Sequence, residues 1–282
     1  MLVPFRRGRY SSSALPRLPS VPLNPDVRDT VDVTVLSSSV EGAAHQFAAS
    51  YVVNQHLVID AGCIGFAEMA RQRSVHSVVL SHVHLDHVAS LPIFIDNVYQ
   101  PGRDCPMVYA SQHVIDNLKT HFFNDVIWPD LIRLACDDSP YVRFIALEDE
   151  RSIQIEGMTV TPIALDHVIP TFGFIVEDSN AAVAFISDTS ATRAIWERVR
   201  TNPRIKAVFL EAAFPNSMDW LADKAMHLTP TLFGVECAKA DRSLPVIAVH
   251  IKPAFYGEVV NELQQLGIDS LSICQPNQTY SF

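Results

Sequence analysis

Leu80-Ser81-His82-Val83-His84-Leu85-Asp86-His87 sets three histidines and one aspartate within six residues. The apolar run Val78–Ser81 leads into it and reads as a buried strand. Strand ends are where a rigid scaffold presents functional groups on loops. Imidazole and carboxylate suit Zn²⁺, with Mn²⁺ or Fe as the other ions such donors take. Four donors this close do not readily serve one tetrahedral ion. Divided as His82 with His84 and Asp86 with His87, they suit two neighbouring ions. The bland alternative is a solvated polar loop. Burying the same cluster without a metal would leave several polar groups unsatisfied.

Later apolar runs repeat the pattern of ending in a donor. Leu57–Ile59 ends at Asp60, Met158–Leu165 runs into Asp166-His167, Ala182–Ser187 ends at Asp188, Ala207–Leu210 at Glu211 and Val246–Val249 at His250. One such ending is uninformative, because Asp is common in turns. Five in one chain predict that strands running the same way bring these side chains to one edge.

The surrounding pattern mixes hairpins with β–α alternation. Val31–Leu36 reads as a strand. Tyr51–Val53 and Leu57–Asp60 flank Asn54-Gln55-His56, and Ile153–Ile155 and Met158–Ala164 flank Glu156-Gly157, both hairpin signals. Phe172–Val176 and Ala181–Ser187 form a further pair, and Met107–Ala110 another strand. Helices are expected over Asp86–Asn97 (with Pro92 early or kinking it), Ser111–Phe122, Ala191–Arg200, Pro230–Ala240 and Pro253–Leu266. The order predicts an α/β fold of two sheets packed face to face with helices outside. Residues 1–29 hold five prolines among Ser and Arg and read as an extended arm before a domain over residues 30–282.

Composition narrows the function classes. Of 282 residues, 48% are apolar and 18% charged, enough for a sizeable core. Asp and Glu number 31 against 21 Lys and Arg, a net charge of -10 that disfavours nucleic acid and anionic membrane as partners. No run approaches the length of a membrane span. Five scattered cysteines with no C-x-x-C pair argue against disulfides and thiolate zinc. They predict mostly buried thiols and a reducing, cytoplasmic setting.

The motif H-x-H-x-D-H after a strand, preceded by Ile59-Asp60-Ala61-Gly62, resembles the metallo-β-lactamase superfamily over residues 31–274. Ser81–His87, His121-Phe122-Phe123-Asn124-Asp125-Val126-Ile127-Trp128-Pro129 and His250-Ile251-Lys252-Pro253 are most similar to class II 3′,5′-cyclic-nucleotide phosphodiesterases, relatives of tRNase Z. The chain departs from the phosphodiesterase pattern at Pro92, at Ile95 and in the loop Ser37–Glu41. The resemblance implies a four-layer αβ/βα sandwich and two zinc ions. One ion would take His82, His84 and His167, the other Asp86, His87 and His250, with Asp188 bridging. Asp60 would either orient a ligand imidazole or cap its turn. Glu211 and His227 would form a proton-delivering pair, or Glu211 would cap the next element and His227 open a helix.

The implied activity is hydrolysis of cAMP or cGMP to 5′-monophosphates, by attack of a hydroxide held between the ions and positioned by Asp86 and Asp188. The small cyclic nucleotide would be the partner, and a homodimer is what the superfamily implies. Phe122, Phe123 and Trp128 would form either a lid over the base or a buried cluster. A tRNase Z-like nuclease, a thioester or ester hydrolase and a non-catalytic nucleotide-binding protein are the alternatives. The acidic charge and filled donor positions disfavour the first and the last.

Overall fold

The computed structural model describes residues 30–38, 45–136 and 138–282; the arm expected over residues 1–29 lies outside them. Its first half runs β1 (Asp32–Val35), β2 (Tyr51–Val53), β3 (Leu57–Ile59), α1 (Met69–Ser74), β4 (Ser77–Val79), α2 (Leu85–Val88), α3 (Leu91–Val98), β5 (Met107–Ser111), α4 (Gln112–Asn117), α5 (Leu131–Leu134) and β6 (Arg143–Leu147). The second half runs β7 (Ile153–Ile155), β8 (Met158–Leu165), β9 (Thr171–Glu177), β10 (Ala182–Ile186), α6 (Ala194–Thr201), β11 (Ile205–Glu211), α7 (Asp219–Ala225), α8 (Pro230–Ala238), β12 (Val246–Val249), α9 (Tyr256–Gln265), β13 (Leu271–Ile273) and β14 (Thr279–Ser281).

Two seven-stranded mixed sheets result, in the orders β14-β1-β2-β3-β4-β5-β6 and β13-β12-β11-β10-β9-β8-β7. Their turns follow local chemistry. Asn54 and Gln55 take φ of 45° and 71°, and Glu156 and Gly157 take 49° and 77°, the left-handed pair that a tight hairpin needs. Both expected hairpins therefore form, as β2–β3 and β7–β8.

The strands sort their apolar faces into layers. Val33, Val53, Ile59 and Val79 of the first sheet meet Val160, Phe174, Phe185 and Phe209 of the second. The outer face of the first sheet (Val58, Val78, Val108) is covered by Leu91, Phe94 and Ile95 of α3. Ile195, Trp196, Phe233, Val259 and Leu263, from α6, α8 and α9, cover Ala184, Ile186 and Val208 of the second. All five residues of β10 are buried, as expected of a strand covered on both faces. Helices, sheet, sheet and helices make the four layers expected.

Strand direction decides where the donors go. β3, β4 and β5 run parallel. So do β10, β11 and β12. β8 is antiparallel to β9, which is antiparallel to β10, so β8 runs with β10. The donor-bearing ends thus emerge together.

Some expectations are corrected. The helix over residues 86–97 is two helices, because Ser90 turns inward: its hydroxyl donates to the Ala61 carbonyl (2.8 Å) and accepts from the Gly65 N–H (2.9 Å). Pro92 then sits in the first turn of α3, where it removes no hydrogen bond. The helix over residues 111–122 ends as a widened π-type turn, Leu118–Phe122. All five cysteines are free, but only Cys63 and Cys274 are buried, and Cys136 is exposed. Among the described residues no helix is long and apolar enough to cross a membrane.

Gly62 locks the loop after β3 to the metal-motif loop. A Cβ built there would lie 2.0 Å from the Asp86 carbonyl oxygen and 2.8 Å from the Ala49 nitrogen, both backbone atoms that cannot step aside. Gly62→Ala is expected to cost at least about 2 kcal/mol and lower the melting temperature by several degrees. Gly257→Ala, with open space around its Cβ, is the control and should be neutral or slightly stabilising. Equal melting temperatures for the two variants in a thermal scan would contradict this packing.

Candidate metal centre

Seven donors converge on the edge where these strands end. His82 and His84 follow β4, and Asp86 and His87 lie in the first turn of α2. His167 follows β8, Asp188 follows β10 and His250 follows β12. The registers Ile186↔Leu210 and Glu211↔Val249 bring Asp188, Glu211 and His250 side by side.

The donors fall into groups whose ligand atoms all lie within 4.8 Å of one another: His82, His84, His167 and Asp188; Asp86, His87 and His250; and a third in which Asp188 and His250 meet His227. In the first group His84 Nδ1 is 3.1 Å from His82 Nε2 and 3.3 Å from His167 Nε2. In the second, His250 Nε2 is 3.3 Å from His87 Nε2 and 3.1 Å from Asp86 Oδ2. Asp188 stands between them. Its Oδ2 is 3.5 Å from His82 Nε2 and 3.4 Å from His87 Nε2, and its Oδ1 is 3.4 Å from His250 Nε2.

Partners behind the rings set which nitrogen faces inward. Asp60 Oδ2 accepts from His87 Nδ1–H at 2.7 Å and from the Ser81 hydroxyl at 2.8 Å, and Asp60 Oδ1 accepts from the Ser81 N–H at 2.7 Å. With its one hydroxyl proton spent on Asp60, Ser81 Oγ accepts from His82 Nδ1–H (3.0 Å). The Met226 carbonyl accepts from His167 Nδ1–H at 3.1 Å. Nε2 of His82, His87 and His167 is thereby turned to the interior. Of the two roles expected, Asp60 takes the first: its carboxylate orients an imidazole, and its bonds go to Ser81 and His87 rather than to its own turn, where its backbone is left-handed at φ 57°.

This donor set fits a divalent cation. Imidazole nitrogens held as acceptors face one another with too few protons to pair them. Asp188 Oδ1 is buried without a hydrogen bond, beside a second carboxylate, Asp86. Burial first, and then neighbouring His87, push the His82 pKa well below its ordinary value; burial also lowers His84 and His167. Neutral imidazoles are the ligand form. At His87 burial opposes charging, but Asp188 and Asp60 outweigh it and raise the pKa, so a proton competes there with a cation. Burial opposes ionisation of Asp188 too, and the charges of His250 and His87 overcome it.

Glu211 and His227 stand at the same edge. Glu211 is fully buried; its Oε1 accepts from His227 Nδ1–H (2.7 Å) and the Thr189 N–H (3.2 Å), and its Oε2 from the Ala213 N–H (2.9 Å). His227 Nε2 lies 4.0 Å from Asp188 Oδ2. Burial works against charging His227, but the Glu211 carboxylate raises its pKa above the usual histidine value. His227 therefore turns Nε2 towards the metal donors, and is not the opening residue of a helix: it follows α7 through Met226, a left-handed residue (φ 53°).

Ser81, the Met226 carbonyl and Lys252, whose Nζ is 3.2 Å from Asp86 Oδ2, had no assigned role from sequence. Ser81 adjoins the motif and could have been found there; a carbonyl leaves no sequence signal. The aromatic segment does not make the lid at Phe123, which is buried beneath the first sheet's helices, with Phe122 and Trp128 packed against it. Its tip instead exposes Val126 and Ile127. His45 stacks on Tyr256 and His56 on His76; neither pair belongs to the donor groups, and His121 is exposed.

A family described as "Beta-lactamase superfamily domain" matches residues 57–251. A Yersinia pestis protein named probable 3′,5′-cyclic-nucleotide phosphodiesterase is 27% identical over 229 residues, 69% of this chain and 64% of that relative. The chain thus spans just under two thirds of that relative's length. Among solved structures, unliganded yeast PDE1 superposes with a TM-score of 0.72 at 18% identity, covering 89% of this chain and 99% of that one. Human tRNase Z, short form, superposes with a TM-score of 0.60 at 16% identity, covering 88% of this chain and 98% of that one. At these identities the two structures share the fold.

Asp60→Asn puts an amide where three donors need a carboxylate. It is expected to weaken metal retention roughly 10- to 100-fold. Zinc remaining after dialysis against graded chelator, with circular dichroism to confirm folding, measures this. Wild-type retention in a folded variant would remove Asp60 from the centre.

Proposed function

This chain belongs to the metallo-β-lactamase superfamily, and from that membership we propose that it is a dinuclear zinc hydrolase that opens 3′,5′-cyclic nucleotides to 5′-monophosphates. One observation carries the reading: a buried Glu211–His227 pair stands beside two donor groups, with Asp188 3.4–3.5 Å from nitrogens of both. A proton donor next to paired ion sites suits a phosphodiester, whose leaving alkoxide needs a proton. The Yersinia relative's name supports the cyclic-nucleotide class.

His82, His84 and His167 would hold one ion, Asp86, His87 and His250 the other, and Asp188 would touch both. Bound ions would supply Lewis acidity, lowering the pKa of a water and neutralising charge on phosphoryl oxygens. The chain's own residues do the rest. Asp86 and Asp188 orient the attacking water by accepting its hydrogen bonds. Glu211 fixes the His227 tautomer through Nδ1, which leaves Nε2 to deliver a proton to the departing 3′ oxygen. The Thr189 N–H on Glu211, and the Ser190 N–H on the Asp166 carbonyl (2.7 Å), tie together the loops bearing Asp188 and His167.

Purified zinc-loaded protein is expected to hydrolyse cAMP or cGMP, and His84→Ala to lose more than about 100-fold of that rate. Pre-tRNA and a thioester serve as comparison substrates. Two bound zinc ions with no cyclic-nucleotide turnover would reject the substrate class.

The pH profile tests the proton donor. His227 works protonated, so activity falls as pH rises through its pKa. Glu211→Gln removes the charge that raises this pKa, so the alkaline limb should move to lower pH, with kcat reduced about 10²- to 10⁴-fold. A lower rate with an unmoved limb, at unchanged melting temperature, would mean that Glu211 acts only structurally.

A further inference from the structure

The centre gathers carboxylates: Asp60, Asp86, Asp188 and Glu211 all lie at it, in a chain of net charge -10. Bound ions would offset that charge at the reacting phosphorus, and a fixed cation beside them would add to the attraction of an anionic substrate. Among the described residues, Lys252 is the only lysine or arginine ion-paired to a donor of the centre, with Nζ 3.2 Å from Asp86 Oδ2.

Its backbone is pinned at the strand ends. The Lys252 N–H donates to the Ala213 carbonyl (3.2 Å), its carbonyl accepts from the Phe255 N–H (2.9 Å), and Pro253 follows. The ammonium is therefore carried by a fixed stretch between β12 and α9. An ammonium has three donors. One goes to Asp86, and among the described residues the other two meet no acceptor. The side chain is 34% exposed, so these two reach solvent at the mouth of the centre.

Beside the other donor group the surface changes character. Leu85 follows His84 and Val168 follows His167, and both side chains are exposed. A charged flank and an apolar flank together suit a ligand with a phosphate at one end and a sugar and base at the other.

We propose that Lys252 recognises substrate charge: its ammonium binds a non-bridging oxygen of an anionic phosphodiester and selects it over uncharged esters. This rests on the phosphodiester reading of the centre. The competing role, holding Asp86 in place for the ion, would act on metal retention alone.

The test uses the full chain loaded with zinc, as wild type, Lys252→Met and Lys252→Arg. Inorganic phosphate and 5′-AMP binding are measured by calorimetry, zinc content by elemental analysis, and melting temperature by calorimetric scan. Lys252→Met should weaken both ligands roughly 10- to 100-fold at unchanged zinc content, the size of one hydrogen bond between charged groups. KM for the cyclic nucleotide should rise by a similar factor with a smaller change in kcat. Lys252→Arg should recover most of the affinity, since it keeps the charge. Unchanged phosphate affinity in Lys252→Met overturns the proposal. So does loss of zinc with normal affinity in the loaded fraction. If wild type turns over no cyclic nucleotide, the substrate reading fails, while phosphate binding still decides Lys252.

Discussion

Asp60 is a carboxylate with 1% exposure, and the centre is built on its hydrogen bonds. An ionised carboxylate out of water is expensive unless fully bonded. Three donors satisfy it: the Ser81 N–H, the Ser81 hydroxyl and His87 Nδ1–H. Hydrogen bonds to a charged group are each worth about 1.5–3 kcal/mol. Their more important effect is directional. They join the end of β3 to the end of β4 and fix, directly or through Ser81, which nitrogen two imidazoles turn inward.

That arrangement leaves the interior short of protons. His82, His84 and His167 nitrogens face one another, and two carboxylates, Asp86 and Asp188, share the other half. Asp188 and Asp60 raise the His87 pKa against burial, so a proton at His87 supplies positive charge there. A bound ion would replace that proton and would tie β4 and α2 of one sheet's side to β8, β10 and β12 of the other. Metal binding is then also stability: ligand at about 1,000 times its Kd adds about 4 kcal/mol. Apolar packing between Val33, Ile59, Phe174 and Phe209 holds the sheets close enough for the donors to meet.

The donor set was legible because strand ends carry it. Once β8, β10, β11 and β12 run in one direction, His167, Asp188, Glu211 and His250 must gather, and their types announce a cation. Hairpins were legible where turn residues demanded them, as at Glu156-Gly157. Elsewhere local pattern misled. The periodicity of residues 86–97 looks like one helix because nothing local shows Ser90 bonding the Ala61 carbonyl. For Phe122, Phe123 and Trp128 the sequence left a lid and a buried cluster equally open, because nothing local shows Phe123 joining the apolar layer outside the first sheet. β14 is a three-residue edge strand that pairs with β1 across almost the whole chain, a contact with no local signal.

By itself the sequence determined the kinds of groups at the centre and the order in which strands deliver them. His82, His84, Asp86 and His87 lie too close together in the chain to be placed far apart. Only the tertiary structure decided what each group faces. His87 meets Asp60, His167 meets the Met226 carbonyl, and Lys252 meets Asp86, pairs separated in the chain by 27, 59 and 166 residues. Such pairs depend on sheet order and loop path. Those are set by the burial of many apolar side chains at once, a non-directional effect that no short stretch encodes.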